Sequence, residues 1–261
     1  MTVTFLGTGT SQGIPVIACN CEVCTSMDPS DNRLRSSILI DVNGRHIVID
    51  TGPDFRYQML RERVTHLDAI LFTHSHKDHI AGLDDVRAFN RQQGSAIDIY
   101  GTGEVHEALR REFYYAFSAK KYPGVPELNL HEITSAPFPL FGVEVIPVEV
   151  MHYRMPVMGF RIGEFTYITD AKTVVDAEME KIAGTRILVV NALQRDPHIS
   201  HFTLDEAIAF ARRVNAEKTY FTHISHRLGR HKAVQVELPE GMELAYDGLV
   251  LDGLAAATMP R

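Results

Sequence analysis

Short apolar segments recur along this chain, and five of them end in a residue able to bind a metal ion. Asp50 follows His46–Ile49, His74 follows Ala69–Thr73, His152 closes Glu149–Met151, Asp170 follows Phe165–Thr169, and His223 follows Thr219–Thr222. Apolar runs of this length, bounded by polar or turn residues, read as strands. In sheet-based enzymes the chemistry gathers at a rim of strand ends. The chain is therefore expected to fold so that these five ends meet, however far apart they lie in sequence.

The densest part of this pattern is His74-Ser75-His76-Lys77-Asp78-His79. It directly follows the buried strand Asp68–Thr73. Behind it, Ile80, Leu83, Val86 and Phe89 read as the first turns of a helix. Extended residues two apart project to the same side, so His74 and His76 are placed to grip one ion. Asp78 and His79, at the start of the helix, face a second. One loop thus supplies two half-sites.

Further strands are expected at Val3–Leu6, Ser37–Asp41, Ile97–Tyr100, Val143–Val148, Thr166–Ile168 and Ile187–Val190. The clearest helix starts at the capping-box sequence Thr203-Leu-Asp-Glu206, with Leu204, Ala207, Ile208, Ala211 and Val214 at helical spacing. Gly103 to Tyr115 is a weaker helical pattern, and Ala119–Pro126 breaks any regular element. Strand-rich stretches at both ends, with helices interleaved, predict an α/β fold: two sheets packed together and covered by helices on both outer faces. At 261 residues, with no linker-like stretch, the expectation is one domain over 1–261.

Hydrophobic content is 45%, charged content 23% and formal net charge -7, so no general attraction draws the chain to nucleic acid or an anionic membrane. The first residues lack a basic segment followed by an apolar one, and no stretch approaches the ~20 apolar residues of a membrane span. A cytoplasmic protein is expected.

Taken together, the Asp after an early strand, the H-x-H-x-D-H run and the later His, Asp and His resemble the metallo-β-lactamase superfamily hydrolases. That resemblance implies a four-layer αββα sandwich. It also implies His74, His76 and His152 on one metal, Asp78, His79 and His223 on the other, and Asp170 bridging them. Asp50 would hold a ligand loop or ligand histidine in orientation. The alternative for Asp50 is a strand-end turn in Asp50–Asp54, compatible with that role.

All three cysteines fall in Cys19-x-Cys21-x-x-Cys24, an odd number that cannot complete a disulfide framework and suits a reducing compartment. Three thiolates and one histidine make a common structural zinc site. This loop at 19–24, the opening Gly7–Gly13 and the segment Thr222-His-Ile-Ser-His226 resemble the phosphoribosyl cyclic phosphodiesterases of the carbon-phosphorus lyase pathway. By that resemblance His226 is the fourth ligand of the structural zinc. His201, just ahead of the Thr203 cap, would donate a hydrogen bond to phosphate or protonate the leaving oxygen; His198 competes for that role. Arg35, Lys172 and Arg227 are cations within reach of a phosphate in principle.

The implied chemistry is hydrolysis of a small, cyclic or unhindered phosphodiester. Two divalent ions ~3.5–4 Å apart, Zn, Mn or Fe, would acidify a shared water and neutralise charge at phosphorus. Three rival classes are an RNA 3′-processing endonuclease of the same superfamily, a di-iron redox protein and a zinc-stabilised assembly protein without catalysis. The aromatic insertion 113–128 is expected to roof the site, form a homodimer interface or pack into the core.

Overall fold

The computed structural model describes residues 1–256. Its chain runs through six strands, β1 (Thr2–Gly7), β2 (Ser37–Val42), β3 (Arg45–Ile49), β4 (Ala69–Leu71), β5 (Ile97–Gly101) and β6 (Leu128–Glu132), before entering a second set. That set is β7 (Phe138–Leu140), β8 (Val143–His152), β9 (Met155–Ile162), β10 (Phe165–Tyr167), β11 (Ile187–Asn191), β12 (Lys218–Thr222) and β13 (Met242–Leu244). The last strand, β14 (Val250–Leu251), returns to the first sheet and pairs with β1. Among the described residues each sheet has seven strands, in the orders β14-β1-β2-β3-β4-β5-β6 and β13-β12-β11-β10-β9-β8-β7.

Helices α1 (Phe55–Arg61), α2 (Lys77–Ile80), α3 (Arg87–Gln93), α4 (Gly103–Glu112) and α5 (Tyr114–Phe117) follow strands of the first sheet. Helices α6 (Asp176–Lys181), α7 (Leu204–Val214) and α8 (His231–Gln235) follow strands of the second. Three buried apolar clusters reveal the layering. One, with Phe5, Ile38, Ile49, Val145, Phe160 and Val189, fills the space between the sheets. A second joins Leu6, Val48 and Ile70 to Phe55, Phe89 and Leu109 on the helices outside the first sheet. The third joins Val150, Leu188 and Phe221 to Ala207, Phe210 and Val234 outside the second. Sheets apolar on both faces need cover on both, and the result is the expected four-layer αββα sandwich.

Strand direction decides where the site can form. β3, β4, β5 and β6 are parallel, as are β10, β11, β12 and β13. β8 is antiparallel to β9, which is antiparallel to β10, so β8 ends at the same edge as β10–β12. The two sheets are tied at that rim: Met158 N–H donates to the Thr73 carbonyl at 2.9 Å, and Thr10 N–H to the Ile224 carbonyl at 3.0 Å.

Several elements depart from expectation. The helix expected to run on from Ile80 is broken into α2, a 3-10 turn at Leu83–Val86 and α3. Gly82 is the break: its N–H donates to the Thr51 carbonyl at 2.8 Å, and a Cβ there would lie 2.1 Å from the Gly52 carbonyl oxygen. The pattern expected over Gly103–Tyr115 ends at Glu112, and Tyr114–Phe117 forms a separate turn. Within the insertion Phe113 and Ala116 are buried in the core, whereas Tyr114 is 72% exposed. α7 spans Leu204–Val214 with both halves of the capping box formed. Among the described residues no helix is long and apolar enough to cross a membrane.

Candidate metal centre

The predicted strand ends meet. Donor atoms of Asp78, His79, Asp170 and His223 all lie within 4.8 Å of one another, as do those of His152, Asp170 and His201. Asp170 belongs to both groups. The His74 ring stands 4.6 Å from that of His76, 4.2 Å from that of His79 and 6.1 Å from that of His152, and the His76 and His152 rings are 5.2 Å apart. Only His76 is exposed; His74, His79, Asp170 and His223 are buried.

Backbone geometry aims these groups. Asp50, Asp170 and His223 have φ of 63°, 57° and 55°, left-handed values that non-glycine residues seldom adopt. Each ends or closely follows a strand, so the chain turns sharply and carries its side chain over the rim. Such strain persists where surrounding contacts enforce it.

Asp50 holds the first half of the cluster. Its carboxylate accepts from Thr73 N–H at 2.9 Å and from Thr73 Oγ1 at 2.8 Å, and His79 Nδ1 lies 2.7 Å from it. That bond fixes Nδ1 of His79 as the donor and leaves Nε2 facing Asp78 at 3.1 Å and Asp170 at 3.3 Å. His152 is oriented likewise, with Nδ1 donating to the carbonyls of Asp170 at 3.1 Å and Ser200 at 3.0 Å. Asn191, at the end of β11, clamps the loop after Asp170: its amide accepts from Ala171 N–H at 2.7 Å and donates to the Ala171 carbonyl at 3.0 Å. Thr169 Oγ1 donates to Asp170 at 2.6 Å. Thr73, Thr169 and Asn191 belong to no ligand motif in the sequence; their one local signal is a polar residue at the end of an apolar strand.

Burial and neighbouring charges pull the groups of the cluster in opposite directions. Burial pushes the His74 imidazole well below its ordinary pKa, and burial lowers that of His223. Burial also disfavours charge on His79, but Asp78, Asp50 and Asp170 outweigh it and raise its pKa well above the ordinary value. Burial would raise Asp170, yet His223 and His79 hold it well below the usual carboxylate range. Among the described residues the buried nitrogens His74 Nε2, His79 Nε2 and His201 Nδ1 make no hydrogen bond of good geometry, although His79 Nε2 lies close to two carboxylates. Unpartnered imidazole nitrogens around carboxylates are the donor set of a divalent transition metal, and the residues fit one.

His201 stacks over the cluster, its ring 4.9 Å from His223 and 4.5 Å from His152. Burial, with His223 next, lowers its pKa to about 3. Of the cations named from sequence, Arg35 pairs with Asp54 at 3.1 Å and Lys172 with both oxygens of Glu206 at 2.8 Å. Arg227 is exposed, with no carboxylate partner among the described residues.

A second cluster lies apart from the first. The sulfurs of Cys19, Cys21 and Cys24 stand 3.3, 3.3 and 3.5 Å from His226 Nδ1. The Cys24 N–H donates to the Cys21 sulfur and lowers that thiol to about 6, whereas burial raises Cys24 to about 11. Three sulfurs and an imidazole nitrogen within 4.8 Å of one another fit a tetrahedral ion such as zinc.

The family model of the beta-lactamase superfamily domain matches residues 45–224, which contain every residue of the first cluster. The chain belongs to the beta-lactamase superfamily. Its fold is the metallo-β-lactamase fold of that superfamily. It is similar to a crystal structure described as a new diphosphatase from the PhnP family, with 41% identity, a TM-score of 0.91 and 98% of each chain covered. It is also 38% identical over 252 residues to an octanoyltransferase of Porphyromonas gingivalis, matching 95% of this chain and 51% of that one. A ribonuclease BN of Cronobacter sakazakii is 29% identical over 188 residues, covering 70% of this chain and 55% of its own. The chain thus spans only about half the length of these two relatives.

Proposed function

We propose that the chain hydrolyses a small molecule carrying a disubstituted phosphate, a phosphodiester or a diphosphate, at a two-metal centre. His74, His76 and His152 would hold one ion, Asp78, His79 and His223 the other, and Asp170 would lie between them. The observation that carries this reading is the pair of buried nitrogens His74 Nε2 and His79 Nε2, neither in a hydrogen bond among the described residues, with His79 Nε2 facing Asp78 and Asp170. The 41% identity to a diphosphatase, with 98% of both chains covered, supports the choice of phosphorus over other electrophiles.

When bound, two divalent ions, Zn, Mn or Fe, supply the charge that acidifies water and neutralises phosphoryl oxygens. The chain's own residues do the rest. Asp50 keeps the His79 ring and the Thr73 backbone in register, and the carbonyls of Asp170 and Ser200 keep the tautomer of His152 fixed. His201, neutral and packed against His223 and His152, donates a hydrogen bond to a phosphoryl or leaving oxygen. Cys19, Cys21, Cys24 and His226 would hold a structural zinc that fastens the 19–24 loop to the turn after β12. A ribosyl cyclic phosphate is one substrate of the proposed class. Residues 1–261 would act as one hydrolase unit.

The test is an assay of bis(p-nitrophenyl) phosphate and a dinucleoside diphosphate with protein loaded with Zn or Mn. Hydrolysis of at least one is expected; loaded protein that turns over neither overturns the proposal. RNA 3′ processing is a second reading, favoured by the ribonuclease BN relative and opposed by the net charge of -7. Cleavage of a precursor RNA with no activity on either small substrate would select it.

A further inference from the structure

The opening Gly7–Gly13 segment supplies no ligand to either metal cluster, yet it reaches the rim of the first. After β1 the chain runs between two other stretches of backbone. Gly9 bridges Arg35 on one side and Ile224 on the other, its N–H donates to the Leu34 carbonyl at 2.7 Å, and Ile224 N–H donates to the Thr8 carbonyl at 2.9 Å. A Cβ at Gly9 would lie 2.9 Å from the Arg33 carbonyl oxygen, so glycine is what lets these backbones come so close. Thr10 is thereby buried against the turn that carries His223, with its hydroxyl 3.3 Å from Nε2 of that ring.

The other nitrogen of His223 faces the cluster. Nδ1 stands 3.3 Å from Asp170 Oδ2 and 3.4 Å from Thr169 Oγ1. Thr169 already gives its one hydroxyl proton to Asp170 at 2.6 Å. Both oxygens therefore offer Nδ1 only lone pairs, and what fits among them is a positive centre, either a proton on the ring or a metal ion beside it. With an ion there, the neutral ring carries its proton on Nε2, and the Thr10 hydroxyl is an acceptor within reach. His79 and His152 are held the opposite way round. Their Nδ1 atoms are tied, by Asp50 and by the carbonyls of Asp170 and Ser200, which leaves their Nε2 atoms for the ions.

We propose that Thr10 is a positioning residue of the metal centre: its hydroxyl accepts from Nε2–H of His223 and so presents Nδ1 of that ring, not Nε2, to the ion held with Asp78 and His79. This rests on the two-metal reading above and adds to it the orientation of one ligand and a role for the glycine-flanked loop. Fixing the ring matters because an imidazole turned about its Cβ–Cγ bond carries Nδ1 away from the carboxylates. A neutral hydroxyl also holds a ring less firmly than the charged Asp50 carboxylate holds His79. Loss of that one bond therefore falls on the ion at Asp78, His79 and His223.

The test uses the whole chain, with zinc as the probe. Zinc is titrated against a competing chelator into the parent protein, into Thr10→Val, which keeps the side-chain shape and removes the hydroxyl, and into Thr10→Ser, which keeps the hydroxyl. Thr10→Val is expected to bind one ion of the histidine centre about tenfold more weakly, and Thr10→Ser to bind as tightly as the parent. A crystal structure of the zinc-loaded parent is expected to show an ion on Nδ1 of His223. Equal affinity in Thr10→Val, a Thr10→Ser protein as weak as Thr10→Val, or an ion on Nε2 of His223 overturns the proposal while the two-metal reading stands. If the parent takes up zinc only at Cys19, Cys21, Cys24 and His226, the two-metal reading itself has failed.

Discussion

Single residues at the rim act mostly through their neighbours. Asp50 is fully buried, and its two oxygens serve the Thr73 N–H and hydroxyl and the His79 ring. Its removal leaves those donors without a partner and frees the His79 ring to turn. Asp50→Ala is expected to weaken metal binding about 10–100-fold with the fold retained, as read by metal titration and circular dichroism. Unchanged affinity would show that Asp50 is only a strand-end turn. Gly82 illustrates a steric constraint instead: a Cβ would sit 2.1 Å from the Gly52 carbonyl oxygen, between two loops that both carry site residues. Gly82→Ala should cost ~1–3 kcal/mol in urea unfolding, the range of overpacked interiors. A variant as stable as the parent would mean that the loops separate at little cost.

At the scale of elements, α7 matters through its start, because His201 lies two residues before the cap. Thr203 Oγ1 accepts from Glu206 N–H at 3.2 Å, and Glu206 accepts from Thr203 N–H at 2.8 Å. Burial would raise the Glu206 carboxyl, but Lys172 and the Thr203 N–H hold it below its ordinary pKa of 4.5. A carboxyl lowered in the folded state stabilises the fold above its unfolded pKa and loses that contribution as pH falls through the folded one. Thr203→Ala should therefore destabilise by ~1 kcal/mol near neutral pH. Glu206→Gln should cost more at pH 7 than at pH 3, as paired thermal melts would show. Equal costs at both pH values would mean that Lys172 and the cap contribute nothing to holding the carboxylate. The α2 to α3 region carries the opposite lesson. Ile80, Leu83, Val86 and Phe89 are all buried, as helical periodicity implies, yet the path is three short pieces. Periodicity reports which side chains go inward; it is blind to a close approach between backbones such as that of Gly82 and Gly52.

Over the whole molecule, the site exists because two seven-stranded sheets end at one rim, and the Cys19–Cys24 loop reaches across to His226 just beyond that rim. Three ions per chain are expected by elemental analysis, and two in Cys24→Ser. That variant should also melt about 4–8 °C lower, the shift of a ~2 kcal/mol loss in a protein of this size. An unchanged metal content would remove the structural zinc from the account. The sequence by itself determined the residue types and their local setting: histidines and carboxylates at strand ends, a capping box before α7, three thiols in six residues. Periodicity, capping and ligand spacing are local properties, written in consecutive side chains. Only the tertiary structure decided which strand ends share an edge, because that follows from the directions of β8 to β12 set by long-range pairing. It likewise decided that Asp50 bonds to His79, that Asn191 clamps the loop after Asp170, and that His198 and His152 both pack against His201. Those relations join residues through space, and no regularity along the chain encodes a distance between two loops.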